Sequence, residues 1–432
     1  MNTNKIKTTL ILLFLSLTSF AQEGAWSGKL NVQGFKLPIV FNFTPDGSCT
    51  MDSPSQGAKG IKTEWKRGDD GTVNVTIPSI RGNFSGKYDG KEISGVFSQN
   101  GMSLPLTLKS GVKKANRPQT PVAPFPYKTE EVTFINGDAV LKGTLTIPEG
   151  CSKDTPVFVM VTGSGFQNRD EAIFEHKPFA VIADALARNG IATMRYDDRG
   201  FGESKGDVIN CTTEDLKKDA LAGVNLMRKR FSKVGVIGHS EGGTIGLLLA
   251  SEKQVDYVVS LAGGVTSMKE CLVWQNSLAL KGAGLSDDVV NAYCKALDRG
   301  FDDMMAGKNY SDVSLEGVPD ILKDNFVKAM QQSSTPYFRY FLSLDARKCL
   351  SDIKCPVFGL NGKLDNQVQC DLNLKALEQG MTNKSSKVVA FDGLNHLFQH
   401  CKTGSITEYQ EIEETFSPDV INVMVEWIKG NK

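Results

Sequence analysis

Val234-Gly-Val-Ile-Gly-His-Ser-Glu-Gly-Gly-Thr-Ile-Gly-Leu-Leu-Leu-Ala250 is the stretch that decides the fold. An apolar β-run ends at Ile237, Gly238-His239-Ser240-Glu241-Gly242 follows, and a helix of small residues begins. A strand, a sharp turn and a helix lift a serine hydroxyl above a sheet, where it is open to attack. Glycine is needed at 238 and 242 because a side chain there would meet the neighbouring strand and helix. Ser240 therefore reads as a nucleophile. The pattern alone is weak in a chain with 42 glycines, and Gly202-Glu203-Ser204-Lys205-Gly206 fits it equally well. Ser204 lacks the strand before it and the helix directly after it, so it reads as a loop serine.

Outward from the elbow, strands alternate with helices: Val157–Val161, helix Lys177–Asn189, Ile191–Tyr196, helix Thr213–Arg230, then the elbow and Val255–Leu261. That alternation implies a parallel sheet covered on both faces. Asn136-Gly137 between two strand-like runs signals a hairpin at its front. From about 265 to 345 the alternation gives way to helical sequence, expected as a cap over the strand ends. Strands resume at Val357–Leu360 and Val388–Phe391, and Ser417-Pro418 opens a final helix.

Upstream the character differs. Residues 22–111 are rich in short strand formers broken by Asp-Gly turns, so a small all-β barrel or sandwich is expected. Its Trp26 and Trp65 are expected to pack rather than bind ligand. Residues 112–126 carry four prolines and read as a stiff linker. Residues 1–21, with Lys5 and Lys7 before the run Leu10–Leu15 and with Ser19-Phe20-Ala21 at the cleavage positions, read as a signal peptide. The run is too short to span a bilayer, so an exported chain cut near Ala21, with no stable membrane anchor, is expected.

Lys+Arg and Asp+Glu balance at 49 each, which gives no electrostatic case for nucleic acid. The nine cysteines include no C-x-x-C, so no zinc site is signalled, and one or two bridges stay open. With no HExxH, GxGxxG or Walker loop, neither metal nor organic cofactor is expected. Oligomeric state is not legible.

A nucleophilic serine needs a base, an acid to orient the base, and donors for the oxyanion. There are four histidines. His239 lies within the elbow and is expected to point away from the hydroxyl. His176 reads as a surface or capping residue. His396 and His400 follow the last strand, where a loop can reach the elbow, and His396 is favoured. Asp365 follows the strand Pro356–Asn361 and sits on the sheet's catalytic edge. Its competitors are weaker: Asp392 is too near His396 in sequence, and Asp371 falls in a helix. The order Ser240, Asp365, His396 is that of α/β-hydrolases. The oxyanion donors are expected to be the N–H groups of Glu241 and Ser164, with Gly163 and Gly165 letting the backbone approach the substrate.

From about Tyr127 to Lys432 the chain resembles bacterial α/β-hydrolase-fold carboxylesterases. The motifs are Thr162-Gly163-Ser164-Gly165 with Arg169-Asp170, Arg195-Tyr196-Asp197-Asp198-Arg199-Gly200-Phe201-Gly202, the elbow, Thr335-Pro336-Tyr337-Phe338-Arg339-Tyr340-Phe341, and Leu394-Asn395-His396-Leu397-Phe398-Gln399. The resemblance implies serine esterase chemistry with this triad on a small-molecule ester of short to medium acyl length. It departs at Thr162, where many relatives place His, and it assigns the first domain no activity. An exported peptidase of the prolyl-oligopeptidase type is the rival on the same fold, although about ninety β-residues are too few for a propeller. A binding module carrying an inactive hydrolase is the second rival, and the complete triad speaks against it. Trp274, Tyr337 and Phe338 of the cap are candidates for an acyl pocket, with packing within the cap as the alternative.

Overall fold

The computed structural model describes residues 24–32, 35–54, 58–112 and 115–431. The expected leader and its cleavage point lie outside these residues. The chain divides into two compact units between residues 114 and 115.

The first unit is a nine-stranded antiparallel sheet: β1 Gly24–Val32, β2 Phe35–Phe43, β3 Cys49–Ser53, β4 Ala58–Lys62, β5 Glu64–Arg67, β6 Thr72–Ile77, β7 Gly82–Tyr88, β8 Glu92–Gln99 and β9 Met102–Ser110. Its order is β4-β3-β2-β1-β9-β8-β7-β6-β5. The two edge strands, β4 and β5, are separated by Thr63 alone, so the sheet must curl enough to bring the end of one edge to the start of the other. Alternation sends Val73, Val75 and Ile77 of β6 inward with Phe41, Phe84 and Ile93, all fully buried. Trp26 is buried against Tyr88, and Trp65 packs on Phe43 while its indole N–H reaches Gly47 O at 3.0 Å.

The second unit holds an eight-stranded sheet: β10 Lys128–Asn136, β11 Ala139–Ile147, β12 Val157–Val161, β13 Ala192–Tyr196, β14 Val234–His239, β15 Tyr257–Leu261, β16 Val357–Gly362 and β17 Lys387–Phe391. The order is β10-β11-β13-β12-β14-β15-β16-β17, with the six strands from β13 to β17 parallel. Parallel strands are buried on both faces, which is why they read as unbroken apolar runs. Along β12, Val157, Val159 and Val161 enter the core under α2 (Thr213–Arg228) and α3 (Glu241–Ser251). Phe158 and Met160 enter the opposite core, under α1 (Pro178–Arg188) and α9 (Pro418–Gly430). This is the α/β-hydrolase fold. Four helices form the cap, α4 Met268–Gly282, α5 Asp287–Met305, α6 Lys323–Ser333 and α7 Pro336–Ser343, around a core of their own. The remaining helix, α8 Cys370–Gly380, includes Asp371.

Three details depart from the sequence reading. The β10–β11 turn is Gly137-Asp138, because Asn136 pairs with Ala139 and its amide is drawn to Asp219 at 2.7 Å. The segment read as a linker is pinned to the second unit: Arg117 donates to the carbonyls of Phe174, Gln410 and Ile412, and Gln119 clasps the backbone of Thr415 and Phe416. None of the nine cysteines is bridged.

Candidate active site

The elbow is sterically closed to anything but glycine at its flanks. A Cβ on Gly238 would lie 2.0 Å from Gly242 O, and one on Gly242 would lie 2.1 Å from Val161 O. Between them Ser240 is held at φ +53°, in the left-handed region that costs a non-glycine residue about 1–3 kcal/mol. Its N–H bonds Leu261 O at 2.8 Å, and its carbonyl receives Gly243 N–H at 2.9 Å, which fixes the turn.

Asp365, three residues beyond β16, has a fully buried side chain whose oxygens are both engaged. Oδ1 accepts Gln367 and Val368 N–H at 2.7 and 2.9 Å, and Oδ2 faces His396 Nδ1 at 2.7 Å. His396 rides on a tight loop after β17. Buried Asn395 folds that loop by accepting Leu397 and Gln399 N–H, each at 3.0 Å. Ser240 and His396 line one cavity of about 290 Å³, at the small end for ligand sites. Of the competing residues, Asp392 pairs with Lys363 at 2.9 Å and His400 is an exposed partner of Glu414.

Glu171 is the residue that sequence reasoning missed. Its Oε1 accepts both Gly163 N–H and His239 Nδ1, each at 2.8 Å, and His239 Nε2 reaches His396 O at 3.0 Å. One buried carboxylate thus ties together the loop after β12, the elbow and the loop of His396. Both ring nitrogens of His239 are thus committed, and the ring braces His396, with ring centroids 4.7 Å apart. Burial pushes the His239 pKa down, yet the Glu171 carboxylate overrides that and leaves it raised. Glu171 itself sits at φ +52°, a strained backbone held by those two bonds. The available signal was its position directly after Arg169-Asp170.

With Gly163 N–H committed to Glu171, the next amide in the loop is Ser164 N–H. Neither it nor Glu241 N–H has an acceptor among the described residues. Gly165 adopts φ +94°, as its place in that loop requires. The Glu241 side chain is buried beneath the cap, where it accepts from Thr213 Oγ1 at 2.6 Å and from Tyr337 OH of α7. Burial raises its pKa despite those donors, Ser164 included. Tyr337, Phe338 and Phe341 of α7 line the cavity with Met268 and Leu272 of α4, whereas Trp274 faces a separate surface hollow.

One further expectation is corrected, and one loop residue proves buried. His176 is no surface residue: it is 1% exposed, with Thr415 Oγ1 and Tyr409 O each 2.9 Å from a ring nitrogen. Burial, with Arg117 nearby, lowers its pKa to about 4. Ser204 is buried as well, its hydroxyl stitching Asp197 O to Lys142 N–H. Among the described residues, no three His, Cys, Asp or Glu side chains are grouped to hold a metal ion, and no helix is long and apolar enough to cross a membrane.

Comparison with known proteins places the chain in a family. The chain is 28% identical over 321 residues to Esterase EstD of Thermotoga maritima, spanning 73% of this chain and 71% of that one. It is 27% identical over 199 residues to an acyl transferase of Photorhabdus luminescens, covering 42% and 62% respectively. Among solved structures, Est1E from Butyrivibrio proteoclasticus, with ferulic acid bound, aligns at 18% identity and a TM-score of 0.43, covering 69% of this chain and 99% of that one. The family model described as X-Pro dipeptidyl-peptidase (S15 family) matches residues 136–400, which run from the β10–β11 turn past His396, and to that family the chain belongs.

Proposed function

We propose that the protein hydrolyses small carboxylic esters through an acyl-enzyme. Ser240 Oγ attacks the ester carbonyl while His396 Nε2 takes its proton. Asp365 holds the imidazole by Nδ1, and the N–H groups of Ser164 and Glu241 receive the oxyanion. His396 then returns the proton to the leaving alcohol and activates water against the acyl-serine. The observation that carries this reading is the buried Asp365–His396 pair, bonded at 2.7 Å and opening on the same cavity as a serine kept at φ +53°.

The family's description favours a second reading, release of dipeptides from a peptide N-terminus. Such an enzyme needs an anion to hold the substrate ammonium. The cavity's two carboxylates are already occupied, Glu171 by Gly163 and His239 and Glu241 by Thr213 and Tyr337. That supports an ester, as does the likeness to the Thermotoga esterase. A cavity of about 290 Å³ suits a short to medium acyl chain.

Parallel assays on p-nitrophenyl esters and an Xaa-Pro anilide separate the readings: the ester is expected to turn over and the anilide is not. Ser240→Ala is expected to lose on the order of 10⁶ in kcat. A variant as fast as the parent overturns the mechanism. Export on residues 1–21 belongs to the same proposal and is tested by N-terminal sequencing of the secreted protein, with Gln22 expected first.

A further inference from the structure

A second cavity, of about 180 Å³, lies away from the catalytic one, between the α1 face of the sheet and the segment around Phe125 and Tyr127. Thr146 of β11 and Thr193 of β13 are cross-strand partners, and Arg195 follows two residues on, so the three side chains share one face. Thr146 Oγ1, Thr193 Oγ1 and Arg195 Nε are three of the seven buried side-chain polar atoms without a hydrogen-bond partner among the described residues. Thr146 and Thr193 are 1% and 0% exposed. Buried polar groups are nearly always satisfied, so three orphans on one face, two of them on residues lining a cavity, point to an occupant.

The chemistry of that occupant follows from the charges. Arg195 and Lys177 share one carboxylate, Asp170: Arg195 Nη1 bonds Oδ1, and Lys177 Nζ lies 3.4 Å from Oδ2. The cavity's other acid, Asp184, is already taken by Arg188 at 2.9 Å and by the Tyr127 hydroxyl at 2.8 Å. The neighbouring Arg169 cluster holds surplus acid in Glu131 and Glu203, but those side chains are 69% and 71% exposed and solvent-screened. The lining itself is balanced, Arg195 and Lys177 against Asp170 and Asp184, and Arg188, 49% exposed and outside the lining, adds one positive charge beside Asp184. Ala180 in the first turn of α1 also lines it, at a helix N-terminus with no side-chain cap and no acid in its first turn. Arg195, Lys177 and the Thr146 hydroxyl donate, which suits an anion between them despite the two carboxylates of the lining.

We propose that this cavity binds a small oxyanion, a carboxylate or a phosphate, held by Arg195, Lys177 and the Thr146 hydroxyl. Asp170 immediately precedes Glu171, so the site lies directly behind the brace of the catalytic loops.

The test is thermal melting of the full chain in chloride buffer at fixed ionic strength, with inorganic phosphate in one arm and acetate in the other. A ligand of the folded state raises Tm by roughly 5 °C at a hundredfold excess over its Kd. A saturable rise with either anion supports the site, and the arm that responds names its class. Thr146→Val keeps the shape and removes the orphan hydroxyl. It is expected to melt at or above the parent temperature in chloride and to bind the anion at least about tenfold more weakly. No anion-specific rise means the cavity holds water only and overturns the proposal. A full response in Thr146→Val does the same.

Discussion

Replacing Glu171 with glutamine keeps the side chain's shape and one acceptor oxygen but removes the charge. In the parent, Oε1 receives two donors at 2.8 Å, Gly163 N–H and His239 Nδ1. A hydrogen bond to a charged group contributes about 1.5–3 kcal/mol and a neutral one about 0.5–1.5, so two such exchanges cost about 2–3 kcal/mol. The cost depends on pH. The folded-state pKa of His239 is raised, so its bond to Glu171 contributes fully below the unfolded value of about 6.5 and fades as pH rises through the folded one. The stability gap between parent and Glu171→Gln is therefore widest near pH 6 and narrows in alkali. Activity should fall as well, because Gly163 carries the neighbouring Ser164 N–H, and a displacement of about 1 Å at a reacting centre can cost 10²-fold. We expect kcat on a short-chain p-nitrophenyl ester to drop about 10- to 100-fold with KM changed only a few-fold, and urea melts across pH to trace the narrowing gap. A variant with parental kcat and a pH-independent gap would refute the idea that this carboxylate positions the site.

Other expectations are simpler. Tyr337→Phe takes a donor from the buried Glu241 carboxylate and loosens α7 over the cavity, so KM should rise about fivefold with little change in kcat, read from steady-state kinetics. Glu241 has a raised pKa, so it favours folding below about pH 4.5 and loses that as pH climbs; the Tyr337→Phe stability cost should accordingly be larger at pH 8 than at pH 5. His176, neutral down to about pH 4 when folded, makes the protein lose up to about 1.4 kcal/mol per pH unit between pH 6.5 and 4. His176→Gln should flatten that limb in acid denaturation curves; an unchanged slope would remove His176 as its source.

The strands were legible because each is a local apolar run, and Ser240, Asp365 and His396 could be singled out because each stands just beyond such a strand. What stayed hidden needed loops to close over long separations. Glu171 meets His239 across 68 residues and His176 meets Tyr409 across 233, and nothing in the composition near either residue announces its partner. The Asn136-Gly137 dipeptide favours a turn. The bond to Asp219, 83 residues on, draws Asn136 into the strand instead. Trp274 shows the same limit within the cap, since a helical pattern says that a face is apolar but not which hollow the face meets.

The clasp of Arg117 and Gln119 bears on how this gene product can be cut and recombined. Those two side chains satisfy carbonyls of the 410–416 stretch, which follows cavity-lining Tyr409, so the catalytic body begins about ten residues before its first strand. A truncation that starts the enzyme at 127, where composition changes, would strip that stretch of its fasteners. One that starts at 115 leaves them in place, and only there could a different front module be spliced on without disturbing the back wall of the pocket.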